Sequence, residues 1–600
     1  MSALQLAIAT IVSLPLAAQY VPPVPIGIKT DVKVRAPRPI AFPSENLHWI
    51  RIRSEHFDVL SSASPERTQQ IVSELETMAA VLKRTSARFQ TSIAATTIFV
   101  FSDRAESLSW FDLLLGAGGE RLGGAYVRRT GGGTMIIDAA NTRRIGRTAM
   151  HELVHDLLRQ GELVPPLWLE EGLAEYFSAA RVREHRVEAG ASVPQHALLL
   201  RRERRLMPLE TMFAVEPETM EATAPLFYAQ SWAAVDWLMQ LDHNVFYAFL
   251  EDLERGKPPE AALSARYGKS LAALESAIRR RGMVSGTTVD FPNDTMIAVA
   301  PPVDLDRATL LYELGRFLSI IAGSEREAAR HFQEALRLEP RHGRTLAALG
   351  RYDEALAAAP DDTEVLLAFA ESLMATAIGP FAGVFEPKEE DIPRFRRARQ
   401  LATHAHELLR NSGTADEARA LGDIGTSYLV ESSLTEGVAA LERASPRLPW
   451  RNDFALNLYA MLLRSGARTK ADSLFKTTFA RSHDRQIIFA ARNVFLAEEI
   501  RRANLLARDG KLDEAALLLR ALAAATEPGQ AKQELESDAV RLESAALVNR
   551  QLRRYNDAIT LVNNNRYREA IEILDAILKE TTDPQLIEDA TRLRDGLKKP

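Results

Sequence analysis

The sequence predicts an α+β domain followed by an all-α array of stacked helices. Three observations predict it. Strand-like patterning is confined to the stretch from Leu47 to Asp138. Helical periodicity then takes over, and beyond Asp304 no convincing strand pattern recurs. Within that last stretch a short turn motif repeats, as in helical-repeat proteins.

A length of 600 residues allows two to four domains at roughly 150 residues each. Lys+Arg number 74 and Asp+Glu 80, a net charge of -6, so no global basic footprint marks a nucleic-acid binder. With no cysteine, disulfides, thiolate metal sites and cysteine catalysis are excluded. A metal site in this chain must use His, Asp or Glu.

Taken in order, residues 1–19 hold an apolar run, Ala3 to Ala18, that ends in small residues. It has the outline of a secretory signal peptide, although no Lys or Arg precedes it. It falls short of the about 20 residues that span a bilayer. The expectation is a mature chain without a transmembrane anchor, secreted or in the periplasm or cell envelope. The alternative is a buried N-terminal segment in a cytoplasmic protein. Residues 20–45 carry Pro22, Pro23, Pro25, Pro37, Pro39 and Pro43 and read as an extended linker.

The α+β domain is expected over 46–285. Ile50 and Ile52 alternate as in a half-buried strand, and Phe57 to Leu60 continues that style. Ile71, Leu75, Met78 and Leu82 place a helix over 65–89. Thr97 to Phe101 is a further strand. Ala125 to Arg129 and Thr134 to Asp138 flank Gly131, Gly132 and Gly133 as a hairpin. Residues 286–303, with Pro292, Pro301 and Pro302, read as a second linker. The cut predicts that a chain lacking 304–600 keeps its chemistry on short peptides.

Past 304, Gly350-Arg351-Tyr352-Asp353-Glu354-Ala355 matches Gly510 to Ala515, and Asn565 to Ala570 matches both. Gly or Asn suits the turn, and small Ala lets two helices approach. The pattern resembles tetratricopeptide repeats, best over Gly323 to Pro340 with Ala328, Phe332, Ala335 and Leu336. That resemblance implies a helical solenoid over 304–600 that binds a protein partner.

The sharpest chemical signal is His151-Glu152-Leu153-Val154-His155. Residues four apart share a helix face and rise about 6 Å, so two imidazoles can bind one Zn²⁺. Glu152 then stands where it can reach a water. Asn141 can cap the helix, and Gly161, Pro165 and Pro166 end it. A second helix, Trp168-Leu169-Glu170-Glu171-Gly172-Leu173-Ala174-Glu175-Tyr176, can return a carboxylate toward the histidines.

His-Glu-x-x-His followed by Trp-Leu-x-Glu-Gly-x-Ala-Glu-Tyr resembles the gluzincin metallopeptidases, above all the peptidase MA-like proteins, which often carry tetratricopeptide repeats. The resemblance implies a zincin-like fold and one zinc ion per chain, held by His151, His155 and Glu171. Glu170 is the competing third ligand and is otherwise expected to be a solvated or capping carboxylate. Glu171 is favoured because it fits the Glu-Gly position and Glu175 lies on its face. Glu175 is expected to accept the outer N–H of His151. The resemblance further implies Glu152 as general base and a tyrosine, Tyr228, as oxyanion donor. Gly124, Ala125 and Tyr126 are candidates for a strand edge that takes up substrate peptide. No Gly-x-Met-x-Asn signature is found, so an endopeptidase is expected over an aminopeptidase. His185, His196 and His243 fall in no ligand spacing, and Arg201 to Arg205 reads as a solvated face. Two other functions stay open: a non-catalytic binding scaffold, and a zinc hydrolase of non-peptide substrates.

Overall fold

The computed structural model describes residues 40–86, 89, 95–115, 124–129, 132–140, 147–159, 165–215, 224–282, 288–292, 296–376, 388–431, 434–480, 482, 485–526 and 528–598. The apolar run at 1–19, the Pro-rich residues 20–39, Asn141 and Gly161 lie outside these.

The chain opens with β1 (Ile50–Arg53) and β2 (Phe57–Ser61), an antiparallel pair. Helix α1 (Pro65–Thr85) follows, with Pro65 in its first turn and Ser64 Oγ accepting from Arg67 N. Next come β3 (Thr96–Phe101), α2 (Arg104–Leu115), β4 (Gly124–Arg129) and β5 (Gly132–Asp138). Then α3 (Arg147–Arg159) and α4 (Leu167–Ser178) form the helix pair that the motif foretells. Beyond them are β6 (Arg181–Val182), β7 (Arg186–Ala189), α5 (Pro194–Arg202), α6 (Leu209–Phe213), α7 (Ala224–Glu254), α8 (Pro259–Tyr267) and α9 (Leu271–Arg281). Strands β8 (Val289–Pro292) and β9 (Val303–Asp304) precede α10 (Arg307–Ser319) and α11 (Glu325–Leu338).

Six strands make one sheet in the order β4-β5-β3-β2-β1-β9, parallel at β2–β3 and β3–β5. Successive side chains of a strand point to opposite faces, and here both faces are buried. Ile98, Val100, Met135 and Ile137 enter one core with α1, α3 and α4. Phe99, Phe101 and Ile136 enter the other. That second core is closed by Trp110 of α2 and by Leu310, Leu314 and Phe317 of α10 and Phe332 of α11. The Phe317 ring stacks on Phe99 at 5.8 Å and on Trp110 at 5.4 Å.

This packing corrects the expected boundary at 286–303. Strand β8 joins β6 and β7 as a second, three-stranded antiparallel sheet, and β9 extends the main sheet beside β1. Helices α10 and α11 are the cover of a sheet face, so a chain cut at 304 exposes Phe99, Phe101 and Trp110. The deletion that the sequence pattern suggests removes part of the core. The end of the Pro-rich segment is also docked. Ile40 is buried, its carbonyl accepts from Arg330 Nη2, and Ser44 N donates to Glu106 Oε1 at 2.8 Å.

His331 on α11 gives this docking a pH dependence. Its Nδ1 donates to the Glu327 carbonyl at 2.8 Å, and the Phe42 ring meets it edge-on at 5.0 Å. Burial disfavours its charged form and lowers its pKa to about 4 from 6.5. The unfolded chain therefore binds one more proton between those values. Stability from this group is full above pH 6.5 and falls as pH drops toward 4, by at most about 3 kcal/mol. Denaturant midpoints across that range should fall in the parent and fall less in H331Q; parallel profiles would refute the assignment.

The remaining described residues are mostly helical, and the chain divides into two compact units. Tyr459–Asp472 and Phe489–Pro600 belong to a compact unit separate from the one containing Val21–Leu458. A common turn recurs in both. Gly323, Gly350, Gly413, Gly466, Gly510 and Asn565 all adopt positive φ, between 60° and 81°. Five residues after each stands a buried alanine: Ala328, Ala355, Ala418, Ala471, Ala515 and Ala570. At Gly350, Gly510 and Asn565 the next residue's N–H bonds back to the carbonyl five before it, at 2.8 to 2.9 Å. The left-handed residue ends one helix and the alanine seats the next. Among the described residues, no helix is long and apolar enough to cross a membrane.

Candidate metal centre

Helix α3 is docked on the main sheet by polar as well as apolar contacts. Asp156 accepts from Thr96 Oγ1 of β3 at 2.9 Å and from Tyr126 Oη of β4 at 2.6 Å. Leu153, Val154, Leu157 and Leu158 bury the adjoining surface. Those anchors fix the roll of the helix and so the direction of its two histidines. At Gly124, β4 runs so close that an added Cβ would stand 3.2 Å from the Ala149 nitrogen. Helix α4 is buried through most of its length and packs on α7. There Gly172 has no room for a side chain, since a Cβ would lie 2.6 Å from the Ser231 carbonyl oxygen.

His151 and His155, one turn apart on α3, bring their Nε2 atoms to 3.0 Å. Glu171 of α4 places Oε2 at 3.4 Å from His151 Nε2 and 3.2 Å from His155 Nε2. Those three atoms form a group that can hold a metal ion. A tetrahedral ion with bonds of about 2.0–2.1 Å has ligand–ligand edges of about 3.3 Å. The observed edges of 3.0, 3.2 and 3.4 Å fit one face of such a tetrahedron. Glu171 Oε2 is also buried without a well-formed hydrogen bond, as an atom awaiting a cation would be.

Charge holds the group together. Burial works against a charged His155, but Glu170 and Glu171 outweigh it and raise its pKa to about 10. Burial likewise opposes an ionised Glu171, and the two imidazoles outweigh it and hold the carboxyl below its ordinary range. A proton thus sits among the ligands, and a divalent cation would take its place.

Glu170 corrects the sequence reading. It is buried, and Oε1 lies 2.8 Å from His155 Nδ1. Adjacent carboxylates at the start of α4 both serve the histidines: Glu171 faces the Nε2 atoms and Glu170 the outer nitrogen of His155. Glu175 lies on the same helix with Oε1 at 3.5 Å from His151 Nδ1. Its other oxygen is 2.8 Å from Arg147 Nη2 and 3.0 Å from His196 Nε2. Burial resists its ionisation, yet those three basic neighbours hold its pKa below the ordinary value. Arg147 and His196 were not singled out by spacing. Arg147 is four residues before His151 and so shares its face, whereas His196 comes from α5 through tertiary packing alone.

Glu152 is half-buried beside His151 on α3. Tyr228 is half-buried near the start of α7, one turn before the Ser231 that packs on Gly172, with its ring 6.0 Å from Phe227. Gly124, Ala125 and Tyr126 lie on β4, an edge of the main sheet among the described residues. Two of these side chains are committed inward. Ala125 is buried in the second core, and the Tyr126 hydroxyl donates to Asp156. What β4 offers outward is its backbone. His185 and His243, which fall in no ligand spacing, are not in the metal group: the His185 side chain is 72% exposed and His243 packs edge-on against Phe291.

The family described as "Protein of unknown function (DUF1570)" matches residues 145–260, which take in both helices of the metal group and α7. No curated protein is found to match the chain.

Proposed function

We propose that this chain is a zinc-dependent peptidase, an endopeptidase rather than an aminopeptidase, with its helical region serving to bind a protein partner. The observation that carries the reading is the triangle of His151 Nε2, His155 Nε2 and Glu171 Oε2 with Glu152 next to it in sequence. His151, His155 and Glu171 would hold the ion. When bound, zinc supplies a Lewis acid and brings the pKa of a water down to about 7.

The chain's own groups account for the remaining steps. Glu152 receives the proton of the attacking water and returns it to the leaving amine, which keeps the proton balance within the site. The Tyr228 hydroxyl donates to the developing oxyanion. The backbone of Gly124, Ala125 and Tyr126 pairs with an extended substrate as an added strand. Gly124 supports this last role, because its missing side chain lets β4 lie against α3 at Ala149.

The test is digestion of an unbiased peptide mixture by the zinc-loaded full chain, with and without a chelator, read by mass spectrometry. New internal cleavages that vanish with chelator and return with zinc are the expected result. No cleavage in any condition would turn the reading toward a hydrolase of other substrates or a binding scaffold.

A further inference from the structure

Two carboxylates flank the outer nitrogens of the paired histidines, and they are not equivalent. Glu170 Oε1 is 2.8 Å from His155 Nδ1, and both side chains are nearly fully buried, at 3% and 6% exposure. Glu175 Oε1 is 3.5 Å from His151 Nδ1, beyond a good hydrogen bond. Its second oxygen is engaged by Arg147 and approached by His196. Around His151 the side chains are also more open, at 15% and 13%.

We infer that Glu170 is the principal positioning residue of the metal group. With a metal bound, it would keep the remaining proton of His155 on Nδ1 and leave the Nε2 lone pair to the ion. The inference rests on the reading that this group holds a metal. A ring nitrogen that donates to a carboxylate fixes its tautomer and raises the basicity of the other nitrogen. Burial sharpens the effect, since water cannot replace a missing acceptor at 3% exposure. Glu175 instead ties α3 to α4 and α5 through Arg147 and His196. Its removal disturbs that junction more than it disturbs a ligand's tautomer.

The experiment measures Zn²⁺ affinity of the full chain by competition with a chromophoric chelator, and records the visible spectrum of the Co²⁺-loaded chain. E170A should bind zinc roughly 10- to 100-fold more weakly than the parent. E170Q keeps an oxygen acceptor without the charge and should fall between the two. Its cobalt bands should shift, which a purely structural role would not cause. E175A should lose less affinity than E170A. Should E170A fail to fold, judged by unfolding of the metal-free chain, E170Q carries the test alone. Parent-like affinity in E170A overturns the assignment, as does E170Q with both affinity and cobalt bands unchanged. Absence of zinc binding by the parent would instead overturn the metal reading and the assignment with it.

Discussion

A Glu152→Gln chain is expected to retain one zinc per chain and to lose peptide cleavage by roughly 10²- to 10⁴-fold in kcat, the usual worth of a general base. Gln has nearly the shape of Glu but cannot accept the proton of an attacking water. Glu152 is half-buried on α3 next to His151 and is not one of the three atoms that form the metal group. On the proposed reading the substitution removes the base and leaves the ligands. Peptide binding should persist, so the loss should fall on kcat with KM little changed. Metal content by elemental analysis and kcat on one peptide drawn from the mixture decide the point. Parent-like kcat would place the base elsewhere. Loss of zinc along with activity would show that Glu152 supports the ligand group and leave its catalytic role without support.

How much of this was legible in the sequence depends on whether the signal is local. The strands, α1 and the α3–α4 pair follow from periodicity and caps within one segment, and their bounds lie within a few residues of the expected ones. Glu170 was not legible, because neighbouring helix positions differ by about 100° and only packing against α3 buries both Glu170 and Glu171. The domain cut failed for a related reason. The run Thr96-Thr97-Ile98-Phe99-Val100-Phe101 is apolar on both faces, which already demands covers on two sides. Residues 46–285 supply one complete cover, and the other is finished by α10 and α11. The turn motif is most legible at Gly350, Gly510 and Asn565, where an apolar residue stands two positions after the left-handed one and Glu-Ala follows. It is weaker at Gly413, where only the small Ala415 stands two positions on, and at Gly466, where Arg468 stands there and Lys470 precedes Ala471.

Changing His151, His155 or Glu171 to Ala is expected to abolish stoichiometric zinc binding after dialysis, with His155→Ala the most disruptive. Three ligands leave one position open in a tetrahedral site, so two do not suffice for a catalytic ion. The three variants should differ in their effect on folding. His151 is partly open to solvent, and its loss removes two edges of the triangle but leaves His155 with Glu170 and Glu171. His155 is buried between Glu170 and Glu171, so its loss leaves two buried carboxylates without their shared partner. Breaking a buried charged pair in this way costs about 3–5 kcal/mol. Thermal unfolding with and without zinc separates the two effects. Zinc at 1,000 times its Kd should stabilise the parent by about 4 kcal/mol, and it should stabilise none of the variants. Without zinc, H155A should unfold at a lower temperature than H151A. Were all three to keep a full equivalent of zinc, the ligand assignment would be wrong. Were H155A as stable as H151A without metal, Glu170 and Glu171 would have to be neutral or solvated in the metal-free chain.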